Sequence, residues 1–154
     1  VSVAQVTAGT SRAFAVSGYD YYGQVMSEII TSTAGSTVTG KKAFFQVASV
    51  AVAGGTTTAV TVGTSDVLGS PVRIIDGGYI IDPGWAGSLA PDTGTFVAAD
   101  MTNPATSSTG DVRGTVTPSS AADGAKRLVV GILLTGIQAG PNATRAGVLG
   151  VTQA

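Results

Sequence analysis

The sequence has 154 residues, enough for one domain that buries a hydrophobic core without metal ions or disulfides. Only 11% of the residues are charged, against about 25% in a typical soluble domain. His and Cys are absent, which excludes Ser-His-Asp and Cys-His catalysis and the usual zinc and haem sites. The composition predicts a protein that is not an enzyme, holds no cofactor and packs its weakly charged surface against other proteins. A secreted β-protein with a Thr-rich exterior is the alternative.

The charge distribution and the hydropathy exclude two classes of partner. The net charge is −1, and the only adjacent basic pairs are Lys41-Lys42 and Lys126-Arg127. Binding to nucleic acid phosphates needs many more clustered Lys and Arg side chains. The longest apolar run, 128–134, is far shorter than the roughly 20 residues of a membrane-spanning helix. We therefore expect neither nucleic acid nor membrane as a partner.

The first third of the chain predicts an extended arm, one short helix and a buried strand. Residues 1–15 are small and rich in Thr and Ala, so they have little apolar area to offset the entropy of ordering. Apolar residues from Tyr22 to Ile30 recur at the spacing of one helix face, and Asp20 can cap that helix, although Ile and Tyr also favour strands. Residues 43–52 form a continuous apolar run that indicates a strand buried on both faces.

The rest of the chain predicts short strands that alternate with turns. A hairpin turn is expected at 76–78, and a loop is expected around Trp85. The predicted strands are 58–62, 72–75, 79–81, 95–99, 111–117, 126–134 and 148–151. This pattern favours an all-β, antiparallel β-sandwich in a single domain over residues 16–154, after the arm 1–15. A small barrel is the alternative.

Two motifs come close to known ligand sites. Residues 35–42, Gly-Ser-Thr-Val-Thr-Gly-Lys-Lys, match a phosphate-binding loop through its lysine. Lys42 stands where Ser or Thr would bind Mg²⁺, and a strand pattern follows where the loop needs a helix. Most aspartates lie beside Gly or Pro, where Asp forms turns, and no Asp-x-Asp-x-Asp spacing occurs. We expect neither a nucleotide nor a calcium site, and a carboxylate-dependent glycosidase is the least favoured function.

Aromatic and arginine side chains are the candidate binding residues. Tyr21 and Tyr22, with the only tryptophan, Trp85, form either a groove for a sugar or peptide or an anchor between the arm and the core. Arg113 and Arg145 stand in weakly charged surroundings, where an arginine can anchor an interface. Alternatively, Arg113 pairs with the aspartate two residues before it on an exposed strand face, which contributes little stability.

Two stretches in the second half resemble a known class of proteins. They are 63–73, Gly-Thr-Ser-Asp-Val-Leu-Gly-Ser-Pro-Val-Arg, and 109–118, Thr-Gly-Asp-Val-Arg-Gly-Thr-Val-Thr-Pro, continuing through 122–134. Both resemble small virion structural proteins of tailed bacteriophages, especially head decoration (capsid cement) proteins. The resemblance implies a jelly-roll-like β-sandwich or, alternatively, the smaller β-tulip of other decoration proteins.

The resemblance also implies a role and partners. A decoration protein lies on the capsid exterior of the virion, bridges major capsid subunits and forms homo-oligomers, here a dimer or a trimer. Weak contacts repeated over a shell then act together through avidity. The alternatives are a phage tail or fibre component and a carbohydrate-binding β-sandwich module. The residues expected to contact partners are Val1, Val3, Val6, Arg12, Phe14, Tyr21, Tyr22, Trp85, Arg113 and Arg145.

Overall fold

The computed structural model of the chain describes residues 1–5, 10–33, 35–54, 59–88, 90–100 and 110–133. Within these ranges there is no α-helix, and the one helical element is a 3₁₀ turn at Gly77–Tyr79. The strands are β1 (Ser2–Gln5), β2 (Ala13–Tyr19), β3 (Val25–Thr31), β4 (Thr37–Thr39), β5 (Gln46–Val52), β6 (Val60–Gly63), β7 (Leu68–Gly69), β8 (Ile80–Trp85), β9 (Thr95–Val97), β10 (Thr115–Thr117) and β11 (Leu128–Ile132).

The strands form four small antiparallel sheets. The first half of the chain builds two of them, with strand orders β4-β1-β6 and β3-β2-β5. The other two sheets come mainly from the second half. In one, β10 lies between β9 and the short strand β7. In the other, β11 pairs with β8. The all-β, antiparallel, sandwich-like fold predicted from the sequence is confirmed.

A hydrophobic core joins the first two sheets. Val3 of β1, Phe14 and Val16 of β2, and Ile30 of β3 are buried together. Alternate side chains of a strand point to opposite faces, so each of these strands directs one row inwards and the other outwards. Burying one side chain of this kind contributes about 1.5–3 kcal/mol, so these residues hold the two sheets against each other.

The segment predicted to be helical is a strand. Val25–Thr31 pairs along its whole length with β2, and its buried and exposed residues alternate. The helical spacing arises because both faces of this strand carry apolar residues. Met26 and Ile30 point into the protein, whereas Val25 and Ile29 point outwards. Because the β-branched residues favour strands and β2 offers a pairing partner, strand pairing overrides the helical pattern.

A tight turn connects β2 to β3 where the helix was expected to begin. Asp20 Oδ1 accepts hydrogen bonds from the backbone N–H groups of Tyr22 and Gln24, each at 2.8 Å. Gly23 has a φ of +77°, which closes the turn at little steric cost because glycine has no Cβ. Asp20 therefore caps a hairpin turn instead of a helix.

The N-terminal residues are packed, in contrast to the arm expected over residues 1–15. β1 is the central strand of its sheet, and the side chain of Val3 is buried beneath it. The backbone oxygen of Val1 accepts a hydrogen bond from Gly40 at 2.9 Å. β2 begins at Ala13, so Phe14 already lies in the core. Among the described residues of this segment, Val3 and Phe14 are fully buried, because the sheets close around them.

Several strand predictions need correction, and the strand predicted at 72–75 does not form. β5 begins at Gln46 and most of its side chains are exposed, so the run 43–52 is not buried on both faces. The predicted hairpin at 76–78 is a 3₁₀ turn in which Asp76 Oδ1 accepts a hydrogen bond from Gly78 N at 2.8 Å. β8 then continues through Trp85, which was expected in a loop. The predicted strands at 58–62, 95–99, 111–117 and 126–134 are present with shorter or shifted bounds, whereas 148–151 lies outside the described residues.

Candidate functional site

Several of the few charged side chains of this protein lie inside it. Six of them are buried, although the whole chain has only 8 basic and 9 acidic residues. A buried charge is costly unless it is paired or hydrogen-bonded, so these groups need internal partners. The six are Asp20, Glu28, Lys42, Asp92, Asp111 and Arg113.

Arg113 and Asp20 form a buried ion pair between distant parts of the chain. Arg113 Nη1 lies 2.8 Å from Asp20 Oδ2 across 93 residues of sequence. The guanidinium also donates through Nε to the backbone oxygen of Ser70 at 3.3 Å and lies over the Tyr22 ring at 5.4 Å. The predicted pairing of Arg113 with Asp111 on an exposed face is wrong. Arg113 instead fastens the β2–β3 turn to the second half of the chain.

A second buried cluster surrounds Glu28, the only glutamate. Its carboxylate accepts hydrogen bonds from the backbone N–H groups of Lys41 at 2.5 Å and Lys42 at 3.2 Å. Burial lowers the pKa of the Lys42 ammonium, and the charges of Glu28, Asp111 and Asp100 oppose that shift. In the segment 35–42, which resembles a phosphate-binding loop, the backbone N–H groups of Lys41 and Lys42 are thus already hydrogen-bonded to Glu28. The segment also contains strand β4 and does not begin a helix.

The outward-facing side of the β3-β2-β5 sheet carries no charge. We call this surface the outer sheet face. Its most exposed large residues are Val25 and Ile29 of β3, with exposed fractions of 66% and 51%. Register and burial place on it Ala13, Ala15, Ser17, Tyr19, Val25, Ser27, Ile29, Thr31, Gln46, Ser49 and Ala51. An exposed sheet face of apolar and small polar residues loses little hydration energy when a partner covers it.

Three aromatic rings, those of Tyr21, Tyr22 and Phe45, cluster at the end of the sheet where β2 stops and β5 begins. The Tyr21 ring packs edge-on against Tyr22 at 5.3 Å and against Phe45 at 5.6 Å between ring centroids. Tyr21 and Phe45 are 66% and 70% exposed. Phe45 N donates to Tyr19 O at 3.0 Å, which fixes this aromatic cluster to the sheet. Clustered, exposed aromatic side chains are typical anchors of protein interfaces.

A groove of about 600 Å³ runs beside the aromatic cluster. Phe45 contributes to both, and Val47 at the start of β5 lines the groove as well. Val62 and Leu68 form part of the opposite wall and are themselves exposed. The groove is therefore mainly apolar.

Trp85 lies in a different environment and has a structural role. Its indole Nε1 donates to Asp92 Oδ2 at 3.0 Å. Asp92 also accepts hydrogen bonds from Ser119 N, Ser119 Oγ, Ser120 N and Gly94 N. These donors, above all the Ser119 N–H, hold the pKa of the Asp92 carboxyl well below its ordinary value. Among the described residues, no ring contact joins Trp85 to Tyr21 or Tyr22.

The residues expected to contact partners differ in how exposed they are in the structure. Tyr21 and Tyr22 are exposed and lie together in the aromatic cluster. Arg12 is half-buried and its backbone N–H donates to Ser32 Oγ at 2.9 Å. Val3, Phe14 and Arg113 are buried, whereas Val1 and Trp85 are partly buried. Val6 and Arg145 lie outside the described residues.

Sequence reasoning missed Phe45, Val25 and Ile29 as surface residues. Phe45 was assigned to a buried strand, and the other two were assigned to the apolar face of a helix. No signal in the sequence could have identified Val25 and Ile29 as exposed. A glutamate normally faces solvent, so Glu28 in a strand would predict that residues of opposite parity, including Val25 and Ile29, face inwards.

Two further properties of the described residues bear on function. No group of three or more acidic side chains is placed there to hold a metal ion. No helix in that part of the chain is long and apolar enough to cross a membrane. A scan against protein-family models and searches of curated proteins and solved structures found no match to this chain.

Proposed function

We propose that this chain is a non-enzymatic virion structural protein that binds the outside of a phage capsid lattice and stabilises it by bridging major capsid subunits. The observation that carries the proposal is the outer sheet face, which is uncharged and exposes Val25 and Ile29. It supports binding to a protein, and the resemblance of 63–73 and 109–134 to decoration proteins supplies the capsid as that partner.

The physical basis of binding is the low cost of covering this surface. No charge on the outer sheet face has to be desolvated, and small residues such as Ala15 and Ser17 lose little side-chain entropy. The exposed rings of Tyr21 and Phe45 add large apolar contacts at one end. Each contact area is modest, but a homo-oligomer that spans several capsid subunits multiplies the affinity through avidity.

Co-sedimentation with expanded, undecorated phage capsids tests the proposal. We expect saturation at a fixed number of copies per lattice position. The double variant Val25→Lys/Ile29→Lys places two charges on the outer sheet face and should weaken binding at least about tenfold, because these charges would be desolvated in the interface. Binding by this variant at wild-type affinity would contradict the assignment of the face.

A matched control carries the same charges on the opposite sheet. Thr37 and Thr61 both lie opposite Ala4 of β1, on the side turned away from the buried Val3, and both are exposed. Thr37→Lys/Thr61→Lys should bind capsids as wild type does. If wild type binds no capsid and instead assembles into rings, the proposal fails in favour of the tail-component alternative.

A further inference from the structure

Strand β5 forms one edge of the β3-β2-β5 sheet. On its side away from β2, no strand in the described part of the chain pairs with it. The side chains of β5 on the outer sheet face are exposed, whereas Val50 and Val52 on the other face are half-buried against the core. An edge strand presents a row of unpaired backbone N–H and C=O groups, so it is a template for pairing with another strand.

This edge lacks the side chains that usually block such pairing. The sequence of β5, Gln-Val-Ala-Ser-Val-Ala-Val, contains no Lys, no Pro and no charge of either sign. Its one irregularity is a register shift that leaves Ala48 without a partner residue in β2. Beyond this bulge, residues 49–52 pair in regular register with β2, so their outer edge is an uncharged segment with regular backbone pairing on its other side.

We infer that β5 pairs in antiparallel orientation with β5 of a second copy of this chain, through residues 49–52. Twofold symmetry brings each strand against its own sequence, so any charge near the axis would meet the same charge. The absence of charge in β5 removes that repulsion. Phe45 and Val47, which line the neighbouring groove, add apolar surface beside the paired strands.

The twofold axis of such a pair stands perpendicular to the sheet, so both copies keep the same face on the same side. The result is one six-stranded sheet, in the order β3-β2-β5-β5-β2-β3, with two outer sheet faces joined into a single uncharged surface. Its meaning for capsid binding rests on the proposed function, because the joined surface would contact two capsid subunits at once. The pairing itself does not depend on that function.

The molar mass of the full chain in solution, measured by sedimentation equilibrium over a range of concentrations, tests the pairing. Wild type should show twice the chain mass of 15.1 kDa. The double variant Ser49→Lys/Ala51→Lys should weaken dimerisation at least about tenfold, because like charges then meet across the axis. Ser49→Glu/Ala51→Glu should do the same, and an equimolar mixture of the two variants should restore dimers as mixed pairs.

The outcomes separate this inference from the proposed function. Val25→Lys/Ile29→Lys lies on β3, at the far edge of the sheet, and should dimerise as wild type does while losing capsid binding. Three results would each overturn the β5 pairing. The first is a wild type that is monomeric or trimeric, and the second is a Ser49→Lys/Ala51→Lys variant that dimerises as strongly as wild type. The third is a mixture of the two variants that stays monomeric although both keep the wild-type circular dichroism spectrum. A normal dimer that binds no capsid would leave the pairing intact and overturn the proposed function alone.

Discussion

Replacing Arg113 by Met should strongly destabilise the fold. The side chains of Arg113 and Asp20 are 4% and 0% exposed, and the salt bridge between them is 2.8 Å long. Met has a similar length but carries no charge, so Arg113→Met leaves the Asp20 carboxylate buried with its Oδ2 unpaired. Removing one partner of a buried ion pair costs about 3–5 kcal/mol. The loss is larger than that of a surface pair because the remaining charge cannot return to water.

The change is large enough to measure with ordinary methods. Each kcal/mol lowers the Tm of a chain of this size by about 2–4 °C, so Arg113→Met should melt about 6–20 °C below wild type. Urea denaturation followed by the fluorescence of the single tryptophan, Trp85, gives the free energy of unfolding directly. Trp85 suits this purpose because its indole is hydrogen-bonded within the fold.

A surface ion pair provides the control for Arg113→Met. Lys126 Nζ lies 3.8 Å from Asp123 Oδ2, and both side chains are well exposed. Lys126→Met should cost no more than about 1 kcal/mol. The double variant Asp20→Asn/Arg113→Met should be more stable than Arg113→Met alone, since the unpaired buried charge is gone. If Arg113→Met costs no more than Lys126→Met, the argument from desolvation is wrong.

Two further predictions concern pH and backbone geometry. Because the pKa of Asp92 is lowered in the folded protein, its ionised form contributes fully to stability above the ordinary carboxyl pKa of about 3.9, and this contribution is lost as the pH falls below that value. The Tm measured by circular dichroism should therefore fall less steeply from pH 4 to pH 2 in Asp92→Asn than in wild type. Equal slopes would mean that these hydrogen bonds do not favour the ionised form. Gly87 and Gly114 both have φ near +90°, but only at Gly114 would a Cβ lie 2.8 Å from a backbone oxygen, that of Val97. Gly87→Ala should cost about 1–2 kcal/mol of unfolding free energy and Gly114→Ala at least about 1 kcal/mol more; equal costs in urea denaturation would refute the predicted clash.

The all-β class could be predicted because the strong signals in this sequence are local. Alternation over 58–62 and the apolar run 128–134 depend only on neighbouring residues, and strands β6 and β11 lie in these segments. Turn chemistry was less decisive. Asp76 was correctly assigned to a turn, but an aspartate accepting a backbone N–H two residues ahead starts a 3₁₀ turn as well as a hairpin.

The features that could not be predicted depend on contacts far apart in the chain. The spacing of Val25, Met26 and Ile29 satisfies a helix as well as a strand, and only pairing with β2 decides between them. Arg113 has an aspartate two residues away, yet its ion-pair partner is Asp20, 93 positions earlier. A single sequence contains no signal for either choice. The aromatic cluster was half predicted: its tyrosines were identified, but Phe45 joins them only because β5 pairs with β2.

The location of the charges connects the fold to the proposed assembly role. Low charge in the sequence already predicted a surface suited to packing, and burial of six charged side chains lowers the surface charge further. The buried Asp20, paired with Arg113, lies at the turn of the β2–β3 hairpin, and the buried Glu28 lies on the inner face of β3. The outer sheet face, on the other side of this hairpin, has no charge. The Arg113–Asp20 ion pair and the hydrogen bonds to Glu28 give the fold specific long-range connections that its small sheets need, because a two- or three-stranded sheet has little stability alone. The same arrangement leaves the outer sheet face without the charges that keep ordinary small proteins apart, which favours assembly through that face.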